Sequence, residues 1–145
     1  MATKFLKVED IKRTTHLLDA ENRVLGRLST VAAGLLMGKG RLDFSRHVDG
    51  GDGVIVINAE RVRVTGKKAE QKQYKRFSGY PGGLTYYSYA WMQERHPEEI
   101  IRHAVKGMLP KNILGSRMLR RLRVIKGNEY GKYAGEKPVP YKWED

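Results

Sequence analysis

Apolar residues recur along this chain with changing period, and the changes mark out its elements. His16-Leu17-Leu18-Asp19-Ala20 has the length and composition of a short strand, and Glu21-Asn22-Arg23 that of a turn. Helical spacing follows. Val24, Leu25, Leu28, Val31, Ala32, Leu35 and Leu36 fall on one stripe, while Arg27, Thr30 and Gly34 fall away from it. Gly38-Lys39-Gly40 ends this helix, because glycine enters the left-handed cap without a Cβ penalty. A long loop covers residues 41–53. Val54-Ile55-Val56-Ile57-Asn58-Ala59 is then a continuous apolar run, as expected of a strand covered on both faces. Strand, helix and strand in this order predict a βαβ unit with a right-handed crossover.

Val62-Arg63-Val64 alternates and is expected as a further short strand. Residues 84–89 read either as a hairpin partner of residues 72–77 or as a segment leading into a short helix over 90–95. Pro97-Glu98-Glu99 opens a second clear helix, since proline suits the first helical position and acids favour the positive end of the dipole. Ile100, Ile101, Ala104, Val105, Met108 and Leu109 form its apolar stripe, and Pro110 stops it. A third helix is expected over 115–122, burying Met118, Leu119 and Leu122, with Arg123-Val124-Ile125 returning to the sheet. From Gly127 the chain is rich in Gly, Pro and Tyr and has no period. No repeat or linker divides it. The reading is a single domain, with an arm at 1–14, an α/β core at 15–126 and an extended tail at 127–145.

The 145 residues suffice for one domain with a real core, and 40% hydrophobic residues exclude a disordered polycation. Charge changes the picture most. Lys and Arg number 28 against 16 Asp and Glu, a net charge of +12. A compact domain with that surplus repels itself until a polyanion covers it, and nucleic acid is the commonest such partner. No stretch approaches the length of a transmembrane helix, so a membrane is not expected as partner. The stretch from Met1 to Asp10 has no apolar signal core and carries acids early, which points to the cytoplasm. With no cysteine, disulfides and thiolate metal sites are excluded.

Three segments carry candidate chemistry. From Ile100 to Asn128 there is no acid, while Arg102, Lys106, Lys111, Arg117, Arg120, Arg121, Arg123 and Lys126 all lie within. Arg117, Arg120 and Arg121 stand at i, i+3 and i+4, so a helix presents three guanidinium forks together, suited to phosphate oxygens. An ordinary solvated face would mix both signs, and this one does not. In residues 65–83, Lys72, Tyr74, Lys75, Arg76, Phe77 and Tyr80 interleave cations for phosphates with rings for unpaired bases. The competing reading there makes Tyr74 and Phe77 core residues of a hairpin. Arg61, Arg63, Lys67 and Lys68 extend the same basic run, with Glu70 its single acid. The loop 38–53 holds Lys39, Arg41, Arg46 and His47, but its Asp43, Asp49 and Asp52 argue against uniform phosphate contact. His47-x-Asp49 lacks a third ligand nearby and reads as a hydrogen-bonded turn, not a metal pair.

Enzymatic readings are weaker. Gly34-x-x-x-Gly38-Lys39 is one residue short of a phosphate loop, lacks the following Ser or Thr, and sits at a helix end where carbonyls point outward. There is no dinucleotide fingerprint, nucleophile elbow or cysteine nucleophile. Among the histidines His16, His47, His96 and His103, the last is expected to pair with Glu99 one turn back. An RNA-processing or nucleotide-using enzyme on an α/β core remains the rival; it would need a pocket at the carboxyl ends of the strands.

Three collinear stretches carry a family resemblance. The first runs from Gly38-Lys39 through His47-Val48-Asp49-x-Gly51-Asp52 into Val54-Ile55-Val56-Ile57-Asn58-Ala59. The second is Val64-Thr65-Gly66-Lys67-Lys68, then Lys72-x-Tyr74, then Ser78-Gly79-Tyr80-Pro81-Gly82-Gly83. The third is Ala104-Val105-Lys106-Gly107-Met108-Leu109-Pro110-Lys111-Asn112, then Leu114-Gly115, Leu122-x-Val124 and Gly127-Asn128-Glu129. From about His16 to Asn128 the chain resembles the bacterial large-subunit ribosomal protein thirteen family. Ser45-Arg46 stands where that family usually has Thr-Pro, Tyr130 where His commonly follows Asn-Glu, and the tail with Tyr133, Tyr141 and Trp143 is unlike the usual ending.

The resemblance implies an α/β fold: a three-layer α/β/α domain with a short, mostly parallel sheet. It implies binding to large-subunit ribosomal RNA early in assembly, beside neighbouring large-subunit proteins in the cytoplasmic ribosome. No catalysis, cofactor, metal or homo-oligomer is implied. The family's basic loops carry over onto Lys39, Arg41, His47, Lys67, Lys68, Lys72, Tyr74, Arg76, Lys106, Lys111, Arg117, Arg120 and Arg121. The composition of the basic segments adds Lys75, Tyr80 and Lys126 to the expected RNA-binding residues.

Overall fold

The computed structural model describes residues 7–143. Strand β1 (Thr15–Asp19), helix α1 (Leu25–Met37) and strand β2 (Gly53–Ile57) make the βαβ unit, with β1 and β2 parallel from Thr15↔Gly53 to Asp19↔Ile57. Gly38 caps α1 at φ 73°, and the amides of Gly38 and Lys39 donate to the carbonyls of Leu35 and Gly34. Then come a single helical turn α2 (Lys68–Gln71), the antiparallel hairpin β3 (Gln73–Phe77) and β4 (Leu84–Ser88), and helix α3 (Tyr89–Arg95). Helices α4 (Pro97–Met108) and α5 (Ile113–Arg120) lead to β5 (Leu122–Val124) and, after a 3-10 turn at Gly131–Glu136, to β6 (Val139–Pro140).

The main sheet has the order β5-β2-β1-β6, with every pairing parallel. Its two faces follow from the register. Leu18, Val54, Val56 and Leu122 face a core shared with Leu28, Ala32 and Leu36 of α1 and Ile100, Ile101 and Val105 of α4. Each fully buried side chain of this kind contributes about 1.5–3 kcal/mol. Leu17, Ile55 and Arg123 are register partners on the reverse face. There Arg123 lies 5.3 Å from the Tyr133 ring, and Thr15 Oγ1 donates to Glu136 at 3.3 Å. The 3-10 turn therefore covers this side. Right-handed connections require the same arrangement, because the chain moves one way from β1 through β2 to β5 and crosses back to reach β6. The result is an α/β/α domain.

Residues 62–64 form no strand but one bridge, Val24↔Arg63, because the partner enters α1 at Leu25 and offers no further extended residue. The two readings of residues 84–89 prove successive: the hairpin partner ends at Ser88 and the helix begins at Tyr89. Helix α5 starts two residues early, since the Asn112 side chain accepts the Gly115 amide at 2.8 Å as an N-cap. It ends before Leu122, which opens β5 against Val54. Met108, expected on the buried stripe of α4, ends that helix exposed. The tail is not simply extended. His16↔Val139 and Leu17↔Pro140 add β6 at the sheet edge, where proline's missing donor costs nothing. A two-residue strand shows no period in sequence. Of the arm, residues 1–6 lie outside the described residues. Its last part docks on the core, with the Thr14 amide donating to Asp52 at 3.1 Å.

Candidate nucleic-acid interface

The loop from Gly38 to Gly53 is built around its acids. Asp52 accepts from the Thr14 amide and from Arg41 Nη1 at 3.2 Å, and lies 3.3 Å from His16 Nε2. Its own amide donates to the Leu35 carbonyl at the end of α1. Asp49 takes both Nη atoms of Arg121, whose Nη2 also donates to the Leu36 carbonyl at 3.1 Å. A guanidinium thus covers the negative end of the α1 dipole. Gly51 is required by close approach: a Cβ there would stand 1.8 Å from the Leu36 carbonyl oxygen. Two of the loop's three acids are therefore consumed within the fold, while Lys39, Arg46 and His47 stay exposed. Arg41 is half-buried and also donates to the Lys12 carbonyl at 2.8 Å. The reservation that acids would spoil this loop for phosphate thus applies only to Asp43, which remains exposed. Asp49 belongs to an ion pair, and the described residues hold no group of three potential metal ligands.

Helices α4 and α5 present a second cationic surface. Lys106, Lys111, Arg117 and Arg120 are exposed, and Lys106 and Lys111 border an open groove of about 570 Å³ between the helices. Arg121 does not join them. It is the C-cap of α5, where the chain leaves the helix and the side chain turns inward to Asp49. The i, i+3, i+4 spacing assumed a helix reaching residue 122, and the early end of α5 removes the third member. Lys126 is exposed beyond β5.

The third surface is the segment 67–80. Lys67, Lys68, Lys75, Arg76 and Tyr80 are exposed, and Lys72 is half-buried with Nζ 5.4 Å from the Tyr74 ring. Tyr74 itself is only 8% exposed and meets His103 edge-on at 5.5 Å, so its ring cannot stack on a base. Burial pushes its hydroxyl up to about 12, with Tyr89 adding to the effect, and the group stays protonated. His103 correspondingly packs on Tyr74 and does not pair with Glu99, which accepts from Arg102 Nη1 at 3.0 Å. Phe77 is 66% exposed, so the core reading fails for it. Sequence reasoning missed Leu84 and Tyr86, which the hairpin register sets beside Phe77 and Lys75. Strand alternation within residues 84–89 was the available signal.

At the carboxyl end of the sheet, where an α/β enzyme binds its substrate, the Asp19 carboxylate accepts from Asn58 Nδ2 and the Glu21 amide, both at 2.9 Å. That acid is engaged in holding the strand ends.

A family model described as ribosomal protein L13 matches residues 13–131. Similar proteins named large ribosomal subunit protein uL13 include that of Thermoanaerobacter sp. strain X514, 49% identical over 138 residues, covering 95% of this chain and 96% of the relative. The Roseiflexus castenholzii protein is 47% identical over 142 residues, covering 98% and 97%. That of Synechococcus sp. strain WH7803 is 46% identical, covering 95% and 91%. Their shared name is that of a ribosomal protein and not of an enzyme. Fold, motifs and matches agree, and the chain belongs to the ribosomal protein L13 family.

Proposed function

We propose that this chain, acting as a single domain, binds large-subunit ribosomal RNA through its basic loops and the α4–α5 surface, and supports early assembly of the subunit. The observation that carries the reading is how the charges are sorted. Asp49 and Asp52 turn inward to Arg121, Arg41 and His16. Lys39, Lys67, Lys68, Lys106, Lys111, Arg117 and Arg120 are exposed and enter no ion pair among the described residues. In the loop after α1 the fold thus engages these two carboxylates itself and leaves the exposed lysines and arginines for phosphate. The packed core sets the spacing of these surfaces, so RNA helices bound to them are held at fixed separation. Selection is by shape, since A-form RNA hides its base edges in a deep, narrow groove. Neighbouring ribosomal proteins complete the environment.

Photo-cross-linking from positions 111 and 117 in purified large subunits tests this. Adducts to ribosomal RNA are expected; labelling by solvent alone at both positions would overturn the reading. Leaving the protein out of a reconstitution mixture should stall an early particle, and normal early particles would remove the assembly role.

A further inference from the structure

We propose that the outer face of the β3–β4 hairpin is a stacking platform for unpaired nucleotides. The inference rests on the reading of this chain as an RNA-binding protein and names the ligand of one surface.

The register divides the hairpin into two faces. Tyr74↔Tyr87 and Arg76↔Thr85 share one face, which turns to the core at Tyr74 and runs out to exposed Arg76 and Thr85. Lys75↔Tyr86 and Phe77↔Leu84 share the other. Phe77 is 66%, Leu84 47% and Tyr86 51% exposed, and Tyr80 at the tip is 76% exposed. Hairpins facing water place polar residues on the outer side. Here the exposed apolar side chains sit together, and only a partner accounts for them.

Charge selects the partner. From residue 71 to residue 93 there is no acid, while Lys72, Lys75 and Arg76 lie in the strand and its entry. Lys75 Nζ lies 5.6 Å from the Tyr86 centroid. Cation and ring are thus placed to meet a phosphate and its own base together. A polyanion that also carries flat apolar faces is single-stranded RNA. In a duplex the base faces are already stacked on one another and unavailable to Phe77 or Tyr86. A protein partner would bury Lys75 beside the rings and need an acid of its own for it.

The test uses the full chain and fluorescence anisotropy with a labelled oligoadenylate of about ten nucleotides, against a duplex RNA of equal length. Phe77→Ala with Tyr86→Ala should lower single-strand affinity about 10- to 100-fold and change duplex affinity by less than about twofold. Phe77→Leu with Tyr86→Leu keeps the apolar area but removes the rings, and should lose as much. Unchanged binding by the leucine pair, or equal losses on single strand and duplex, would overturn the platform. So would a parent protein that binds large-subunit RNA but not the oligoadenylate. A parent protein that binds neither would instead remove the RNA-binding reading beneath it.

Discussion

The guanidinium of Arg121 holds both carboxylate oxygens of Asp49, 72 residues earlier in the chain, with Nη2 to Oδ1 at 2.6 Å. The same Nη2 reaches the Leu36 carbonyl. One side chain therefore ties the end of α5 to the loop after α1 and to the last turn of α1 itself. The loop that carries Lys39 and His47 is thereby fixed within the fold. For the RNA-binding role proposed above, a loop so fixed costs less ordering entropy than a free one.

Breaking this pair leaves an uncompensated charge in a mostly enclosed site. Arg121→Gln and Asp49→Asn should each lower stability by about 3 kcal/mol, the low end for buried pairs because a little of each side chain meets water. Urea denaturation checks it. The double variant should lose less than the sum of the two. A loss below about 1 kcal/mol for either single change would show that the pair is a surface contact.

Gly51→Ala forces a methyl group onto the Leu36 carbonyl, a backbone atom that cannot rotate away. The loop or the end of α1 must shift, at a cost of about 2–3 kcal/mol. Thermal melting reads the loss. Gly40→Ala is the control, since a Cβ there meets nothing within 4 Å.

The buried tyrosines give the fold an alkaline limit. The Tyr74 hydroxyl ionises at about 12 in the folded chain against an ordinary 10.0, and burial raises Tyr89 too. Between these values the unfolded chain carries fewer protons than the folded one, so stability falls as pH rises and is intact below about 10. Melting temperature should decline from about pH 10 to about 12. Tyr74→Phe should flatten that decline. It also deletes a buried hydroxyl that has no hydrogen-bond partner among the described residues, so stability at neutral pH should hold or rise slightly.

Arg117 and Arg120 are exposed on α5 and contribute charge without packing into the core. Replacing both with Gln should leave the melting temperature unchanged and weaken binding to large-subunit RNA. The slope of log affinity against log salt should shrink by about 1–2. Arg121→Gln should do the opposite, lowering stability with little change of slope. Identical behaviour of the three arginines would contradict the placement of Arg121 inside.

Much of this was legible in the residues. The stripe of α1, the apolar run of β2 and the Pro97 start of α4 each bury enough side chains to leave a period. What escaped was short or non-local. Val139–Pro140 is too brief to show alternation, and its pairing with β1 spans most of the chain. The partner of Arg121 lies in a distant loop, so helix spacing placed that residue with Arg117 and Arg120, and only the end of the helix at Arg120 separates them. Tyr74 and Phe77 stand three apart in sequence but on opposite faces of β3, which the hairpin register alone decides. The motif match identified the family correctly, yet it carried buried Tyr74 and paired Arg121 along with the exposed lysines.

The most direct measurement is the affinity of the intact chain for large-subunit ribosomal RNA across a salt series. If about six to ten phosphates are neutralised, affinity should fall roughly 10³- to 10⁵-fold between about 50 and 200 mM monovalent salt. An affinity that stays level over that range would contradict an interface made by cations whose acids are turned inward.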